Sequence, residues 1–235
     1  MECTTSPVAD GEVTPRIQQA LARKGVLPAL HIVDTGYLDA ELLVTSQRDY
    51  GINLLGPTRA NDHWQAQAAQ GFDASSFAID WDQCQARCPC GHLSASWTPT
   101  VDKRKNEVVQ MQFSIKDCQP CPSRAQCTRA PRRMLTIRRQ THYQALHAAR
   151  ARETSAAYTA EYARRAGIEG TLSQGTRAYG LRRARYIGEV KTAFQHIVTA
   201  VAINFMRMGN WLMEKPFAKM RLSAFERVMR QGAPC

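Results

Sequence analysis

The sequence has no apolar run long enough to cross a membrane. Its most apolar late stretch, TAFQHIVTAVAINFMRM, is short and is interrupted by Gln195, His196 and Asn204. The opening residues, MECTTSPVADGEVTPR, lack the basic region and apolar core of a signal peptide. A cytosolic protein without a membrane partner is therefore the default, and eight Cys read there as thiols or metal ligands rather than disulfides. There is no internal repeat and no low-complexity tract, which sets aside repeat arrays. Acid is also short: 20 Asp and Glu stand against 31 Lys and Arg, a net charge of +11 with a pI near 9.6. That balance points to a polyanion, nucleic acid first, with a solvated basic surface as the plainer alternative. The excess is concentrated, since Arg129 to Lys191 holds 14 Lys or Arg, four Glu and no Asp.

What is present suits an α/β protein of 235 residues, enough for one large core or one core with an inserted subdomain. Residues 1–12 read as disordered. Thr14-Pro15 predicts a helix start and Gly25 its stop. VLPALHIVD reads as a short buried strand, YLDAELLVTSQRDYG as a helix closed by Gly51, and INLLGP as a second strand. This strand–helix–strand order over 13–57 is the mark of a parallel sheet. From 58 to 135 the pattern breaks into a small β-rich unit with six Cys and strand-like pieces such as SFAIDWD, SASWTPT and VVQMQFSI. From 136 to 213 the period is helical, and 214–235 reads as a basic tail.

Within HIVDTGYLDAELL, an apolar run ends on Asp34. By itself the stretch favours a turn or a helix cap, both of which suit Asp, although strand ends in open α/β sheets are also where ligands gather. Further on, Tyr162, Arg165 and Glu169 are spaced i, i+3, i+7, which puts them on one face of a helix.

Tyr-x2-Arg-x3-Glu followed by RAYGLRRARYIG resembles the C-terminal signature of DDE transposases of bacterial insertion sequences, and HIVDTGY resembles that family's second acidic motif. The family continues with a Lys seven residues after the Glu; position 176 is Thr here, and the nearest base is Arg177. The resemblance runs from about 29 to 212. It implies a ribonuclease-H-like core, interrupted by a Cys-rich insert, whose acids hold two Mg²⁺ or Mn²⁺ ions. Such a pair clamps the attacking and leaving oxygens of a phosphodiester displacement, and carboxylates are suitable ligands for hard cations. Asp34 would bridge the metals and Glu169 would ligate one, with Tyr162 and Arg165 steadying phosphates.

The family's first acid lies on the first core strand. The acids ahead of Asp34 are Glu2, Asp10 and Glu12, and none sits on an apolar strand. The resemblance therefore implies an incomplete ribonuclease-H-like core: a transposase fragment that is inactive alone and lacks the opening hairpin of its sheet.

Cys118-x2-Cys121-x5-Cys127 follows the group Cys84, Cys88, Cys90. Thiolates at such spacing can close on one tetrahedral zinc. Cys88-Pro89-Cys90-Gly91 resembles the family's Cys-Pro-x-Gly, which makes Cys88 the fourth ligand with Cys118, Cys121 and Cys127 and leaves Cys84 and Cys90 spare. Reduced, partly buried thiols are the alternative. Arg177, Arg182, Arg183, Arg185 and Lys191 read as phosphate contacts. Phe194, Ile197, Val198, Val201, Ala202 and Phe205 read as the apolar stripe packing their helix on the sheet. The leading expectation is thus a DDE-type enzyme fragment acting on element ends and target DNA at the nucleoid, self-associating or joining a full-length transposase. The alternative is a non-catalytic, zinc-containing DNA-binding protein that modulates a full-length element.

Overall fold

The computed structural model describes residues 10–68 and 71–215. It is a mixed α/β structure that divides into two compact units, one running up to Ala166 and the other from Gly167. The expected disordered segment lies outside the described residues over 1–9, as does the tail over 216–235.

The first unit opens on α1 (Asp10–Arg23), so Asp10, Gly11 and Glu12 are helical rather than disordered. Asp10 and Glu12 place negative charge in the first turn, where the helix dipole favours it. Pro15, expected at the helix start, lies inside, at a cost of one backbone hydrogen bond. Thr14 is held inward because its hydroxyl donates to the Tyr37 carbonyl at 3.2 Å. One turn on, the buried Gln18 and Ser46 donate to each other at 2.8 and 3.1 Å, joining α1 to the helix that follows.

The predicted strand–helix–strand unit forms as β1 (Leu30–Ile32), α2 (Ala40–Tyr50) and β2 (Asn53–Leu55). The strands are parallel, with Leu30 opposite Asn53 and Ile32 opposite Leu55. Local chemistry sets the bounds of α2. Asp39 caps it by accepting from the Leu42 N–H at 2.8 Å, and Gly51 ends it in the left-handed conformation with φ 66°. Val33, Leu38, Leu42 and Leu54 form the apolar seam beneath.

The next stretch carries α3 (Trp64–Gln67), a hairpin of β3 (Ala78–Asp80) and β4 (Gln85–Arg87), and a longer antiparallel pair, β5 (Ser94–Val101) and β6 (Glu107–Phe113). Two short helices, α4 (Ile115–Cys118) and α5 (Arg124–Cys127), precede β7 (Met134–Arg138), which pairs with β6. Alternation on β6 and β7 sends Val109, Met111, Phe113, Leu135 and Ile137 into a second core with Phe77 and Ala86. The β-rich stretch thus extends three residues past the expected 135.

Two helices close this unit, α6 (Gln140–Glu153) and α7 (Ala156–Ala163). Arg152 of α6 donates to Asn53 Oδ1 at 2.7 Å and to the Leu54 carbonyl at 2.8 Å, and Glu153 accepts from the Thr58 N–H at 2.8 Å. His142, 3% exposed, accepts at Nδ1 from Arg139 Nε at 3.1 Å and meets Glu41 of α2 through Nε2 at 2.7 Å. Polar contacts therefore fasten α6 to both β2 and α2.

The second unit contains α8 (Ala166–Ala178) and α9 (Glu189–Leu212). They meet closely at Gly175, where an added Cβ would lie 3.1 Å from Leu181 Cδ2 and 3.6 Å from Ile203 Cδ1. Ile203 is the buried residue of α9. The apolar stripe of α9 is not covered within its own unit: Phe194 is 64% exposed, Ile197 47%, Val198 49%, Val201 46% and Phe205 66%.

Met111 is fully enclosed, so Met111→Ala should lower stability by about 2–5 kcal/mol. Urea unfolding followed by Trp fluorescence measures this, and a loss under about 1 kcal/mol would mean that the β6 face is not the core of this unit.

Candidate functional site

Asp34 follows Val33 directly after β1, where the chain leaves the sheet. One carboxylate oxygen accepts from the Thr35 N–H at 3.0 Å and caps the short 3₁₀ turn Thr35–Tyr37. The other accepts from Arg165 Nη2 at 2.9 Å. The side chain is half exposed, at 52%, against 28% for Arg165. The turn-and-cap reading of Asp34 thus holds on one oxygen, while the other is paired with Arg165.

Around this pair sit groups of suitable chemistry. The Arg165 guanidinium carbon lies 5.9 Å from the Tyr162 ring centroid, and Tyr162 stacks on Tyr158 with centroids 5.6 Å apart. Asp10, which no sequence pattern places here, packs against the same turn: a Cβ on Gly36 would sit 2.7 Å from Asp10 Oδ2. Burial, then the neighbouring Asp10 and Asp34, holds the Tyr37 hydroxyl above its usual pKa.

Tyr162, Arg165 and Glu169 do not share one continuous helix as expected. Tyr162 belongs to α7, the chain turns at Arg164 and Arg165, and Glu169 stands in the first turn of α8 in the other unit. Among the described residues, no three His, Cys, Asp or Glu side chains are placed to hold one metal ion.

The basic residues are exposed, but most are not on a helix. Arg177 lies in the last turn of α8 and Lys191 in the first turn of α9, whereas Arg182, Arg183 and Arg185 lie on the irregular loop between them. Gly180 and Gly188, both at positive φ, bound that loop. Gln195 pins it: its side chain donates to the Arg183 carbonyl and accepts from the Arg185 N–H, each at 2.9 Å. A lone Gln on an apolar helix carries no sequence signal of this role.

Cys88, Cys118, Cys121 and Cys127 line one small cavity of about 30 Å³, together with Cys90. Cys84 is exposed and is not part of the lining. Cys90, expected to be spare, lines the same cavity, with its sulfur 3.6 Å from that of Cys121. Burial pushes the Cys127 thiol up to about 11 and raises Cys121 in the same direction. Cys3 and Cys235 lie outside the described residues.

Residues 87–209 match the model of a family described as the transposase DDE domain. The match covers more than half of the chain. The protein belongs to the transposase DDE-domain family. The matched span takes in the cysteine cavity, Tyr162, Arg165, Glu169 and the basic loop, whereas Asp34 precedes it. No curated protein and no solved structure matches the chain. Membership in this DDE-domain family relates the protein to transposition and makes DNA its partner; no described helix is long and apolar enough to cross a membrane.

The Asp34–Arg165 pair faces solvent, so Arg165→Ala should cost the fold less than about 1 kcal/mol. Denaturant titration measures this. A loss of several kcal/mol would make Arg165 a residue of the fold rather than of the site.

Proposed function

We propose that the chain carries the second and third acidic elements of a DDE transposase site, Asp34 and Glu169, with the basic loop as its DNA grip. The observation that carries this reading is the 2.9 Å ion pair linking Asp34 to Arg165, a residue of the matched span 131 positions away. On this reading Asp34 and Glu169 are the groups that would hold Mg²⁺ or Mn²⁺, which polarises the scissile phosphate when bound. The described residues gather no three donors, so no cleavage step is assigned to this chain alone. What its own residues do is bind and orient. Arg165 offers a planar fork to a phosphate, Tyr162 backs it, and Arg177, Arg182, Arg183, Arg185 and Lys191 neutralise the flanking backbone. A third carboxylate on a strand beside β1, supplied by a further segment or a full-length transposase, would complete the acid set. We also infer that Cys88, Cys118, Cys121 and Cys127, whose thiols suit zinc as donors, would have to draw together around a structural zinc ion, since no three of them are placed to hold one as they stand.

A second reading has its own support. Arg165 stands where a cation would meet Asp34, which favours a DNA-binding protein without catalysis that modulates a complete transposase.

Salt-dependent binding to duplex DNA tests both readings. The chain should bind with affinity that falls steeply with salt. Arg182→Glu with Arg183→Glu should flatten the log–log slope by about 1.8, from roughly 0.9 for each phosphate no longer neutralised. Unchanged affinity in that variant would remove the loop from the interface. No cleavage is expected with Mg²⁺ or Mn²⁺, and metal-dependent cleavage that disappears in Asp34→Asn would overturn the claim of inactivity.

A further inference from the structure

The basic loop between α8 and α9 is also one wall of a cavity of about 460 Å³, a size within the range of small-ligand sites. The loop closes on α9 through the Thr192 hydroxyl, which meets the Gly188 carbonyl at 2.9 Å and the Tyr186 carbonyl at 3.5 Å. Gly180 and Gly188, at φ +63° and +100°, take conformations that side-chain-bearing residues rarely adopt. Chain path and hydrogen bonds together set Tyr186 beside the start of α9.

The lining is aromatic. Tyr179 directly follows α8, Tyr186 comes from the loop and Phe194 from α9, with Val198 one turn further on. Tyr186 and Phe194 are exposed. Among the described residues none of these three rings stacks on another ring, whereas Tyr158 and Tyr162 cover each other and Trp81 is packed by Trp97 and Tyr143. The neutral polar side chains of the wall are already engaged. Gln195 holds the loop backbone, and the Thr199 hydroxyl donates to the Gln195 carbonyl at 2.8 Å. The cavity therefore offers a ligand chiefly ring faces and aliphatic carbon.

The charge around it favours an anion. From Arg177 to Gln195 the chain holds five Lys or Arg and one acid, Glu189, and Arg185 itself lines the cavity. A planar group with apolar faces that carries a phosphate is a nucleotide. In a duplex both faces of each base are covered by the stack, so only an unpaired base can lay a face on an aromatic ring.

We propose that this cavity takes one unpaired base of single-stranded DNA, its face against Tyr186 and its phosphate on Arg185. The inference rests on the DNA-grip reading above and adds to it a substrate form. The arginines of the loop hold any phosphate backbone, and the rings hold a strand whose bases are free.

The test uses the full chain, titrated with a labelled oligothymidylate and with a duplex of equal length. Wild type should bind both. Tyr186→Ala should weaken binding of the oligothymidylate roughly 5- to 150-fold, the share of one stacked base, and leave duplex affinity unchanged. Tyr186→Phe, which keeps the ring, should restore it. Oligothymidylate affinity that is unchanged in Tyr186→Ala overturns the base site and leaves the phosphate grip standing. Equal losses on both DNAs overturn it too, because the ring would then only shape the loop. Should Tyr186→Ala fail to fold, photo-crosslinking of wild type to a strand carrying 5-iodouracil decides. A cross-link at Tyr179, Tyr186 or Phe194 supports the site, and cross-links confined to other residues overturn it. Displacement of the strand by an equal concentration of thymidine monophosphate would make the cavity a free-nucleotide site and overturn the strand assignment. Wild type that binds neither DNA overturns both the base site and the grip.

Discussion

At the end of a parallel strand, the Asp34 carboxylate takes Arg165 as its partner. The pairing depends on β1 ending at Ile32, on the 3₁₀ turn that occupies the other oxygen, and on α7 delivering Arg165 from far along the chain. That delivery requires α6 to be fixed first. Arg152 and Glu153 anchor it to β2 and its following loop, while His142 anchors it to α2, so the helix pair approaches the strand end from a defined direction. The apolar seam under α2 keeps the strand in place. The polar contacts above it determine what reaches the carboxylate.

The parts of this arrangement that are legible in the sequence are those decided locally. Asp39 and Gly51 bracket α2 because a cap oxygen and a left-handed glycine act within one turn of chain. The parallel pair follows from two short apolar runs on either side of that helix. Spacing fails where chain breaks decide. Tyr162 and Glu169 are seven apart, but the turn at Arg164 and Arg165 separates their helices, and periodicity cannot see a turn made of good helix formers. The basic stretch reads as a helix for the same reason, since its Arg residues favour one, while Gly180 and Gly188 open it into a loop. Asp10 lies on no strand and so carries no mark of a site acid. Its nearness to Gly36 and Tyr37 comes from the long-range packing of α1, of which a linear pattern carries no trace.

Charge placement links the fold to the partner that the family implies. Because Gln195 holds the backbone of Arg183 and Arg185 through two hydrogen bonds, the loop presents its guanidiniums from a tethered frame. Less ordering entropy is then lost when a phosphate binds. A solvated helix face would carry the same formal charge without that tether, so on the proposed reading Gln195 matters to the loop as much as the number of its arginines.

Competition between partners governs Asp34 as well. A divalent ion at that carboxylate competes with a guanidinium already 2.9 Å away. One carboxylate facing solvent offers a hard cation little beyond what water offers, since Mg²⁺ gives up its hydration only reluctantly. Adding a second and third acid changes the balance twice. Each supplies another oxygen, and their mutual repulsion raises the energy of the metal-free site. On the proposed reading Arg165 would then be the weaker partner and would turn toward phosphate. On that reading its position would depend on how many acids are present: paired with Asp34 when they are few, turned to DNA when the set is complete. The two readings of this protein differ in that count, and Arg165 serves in both.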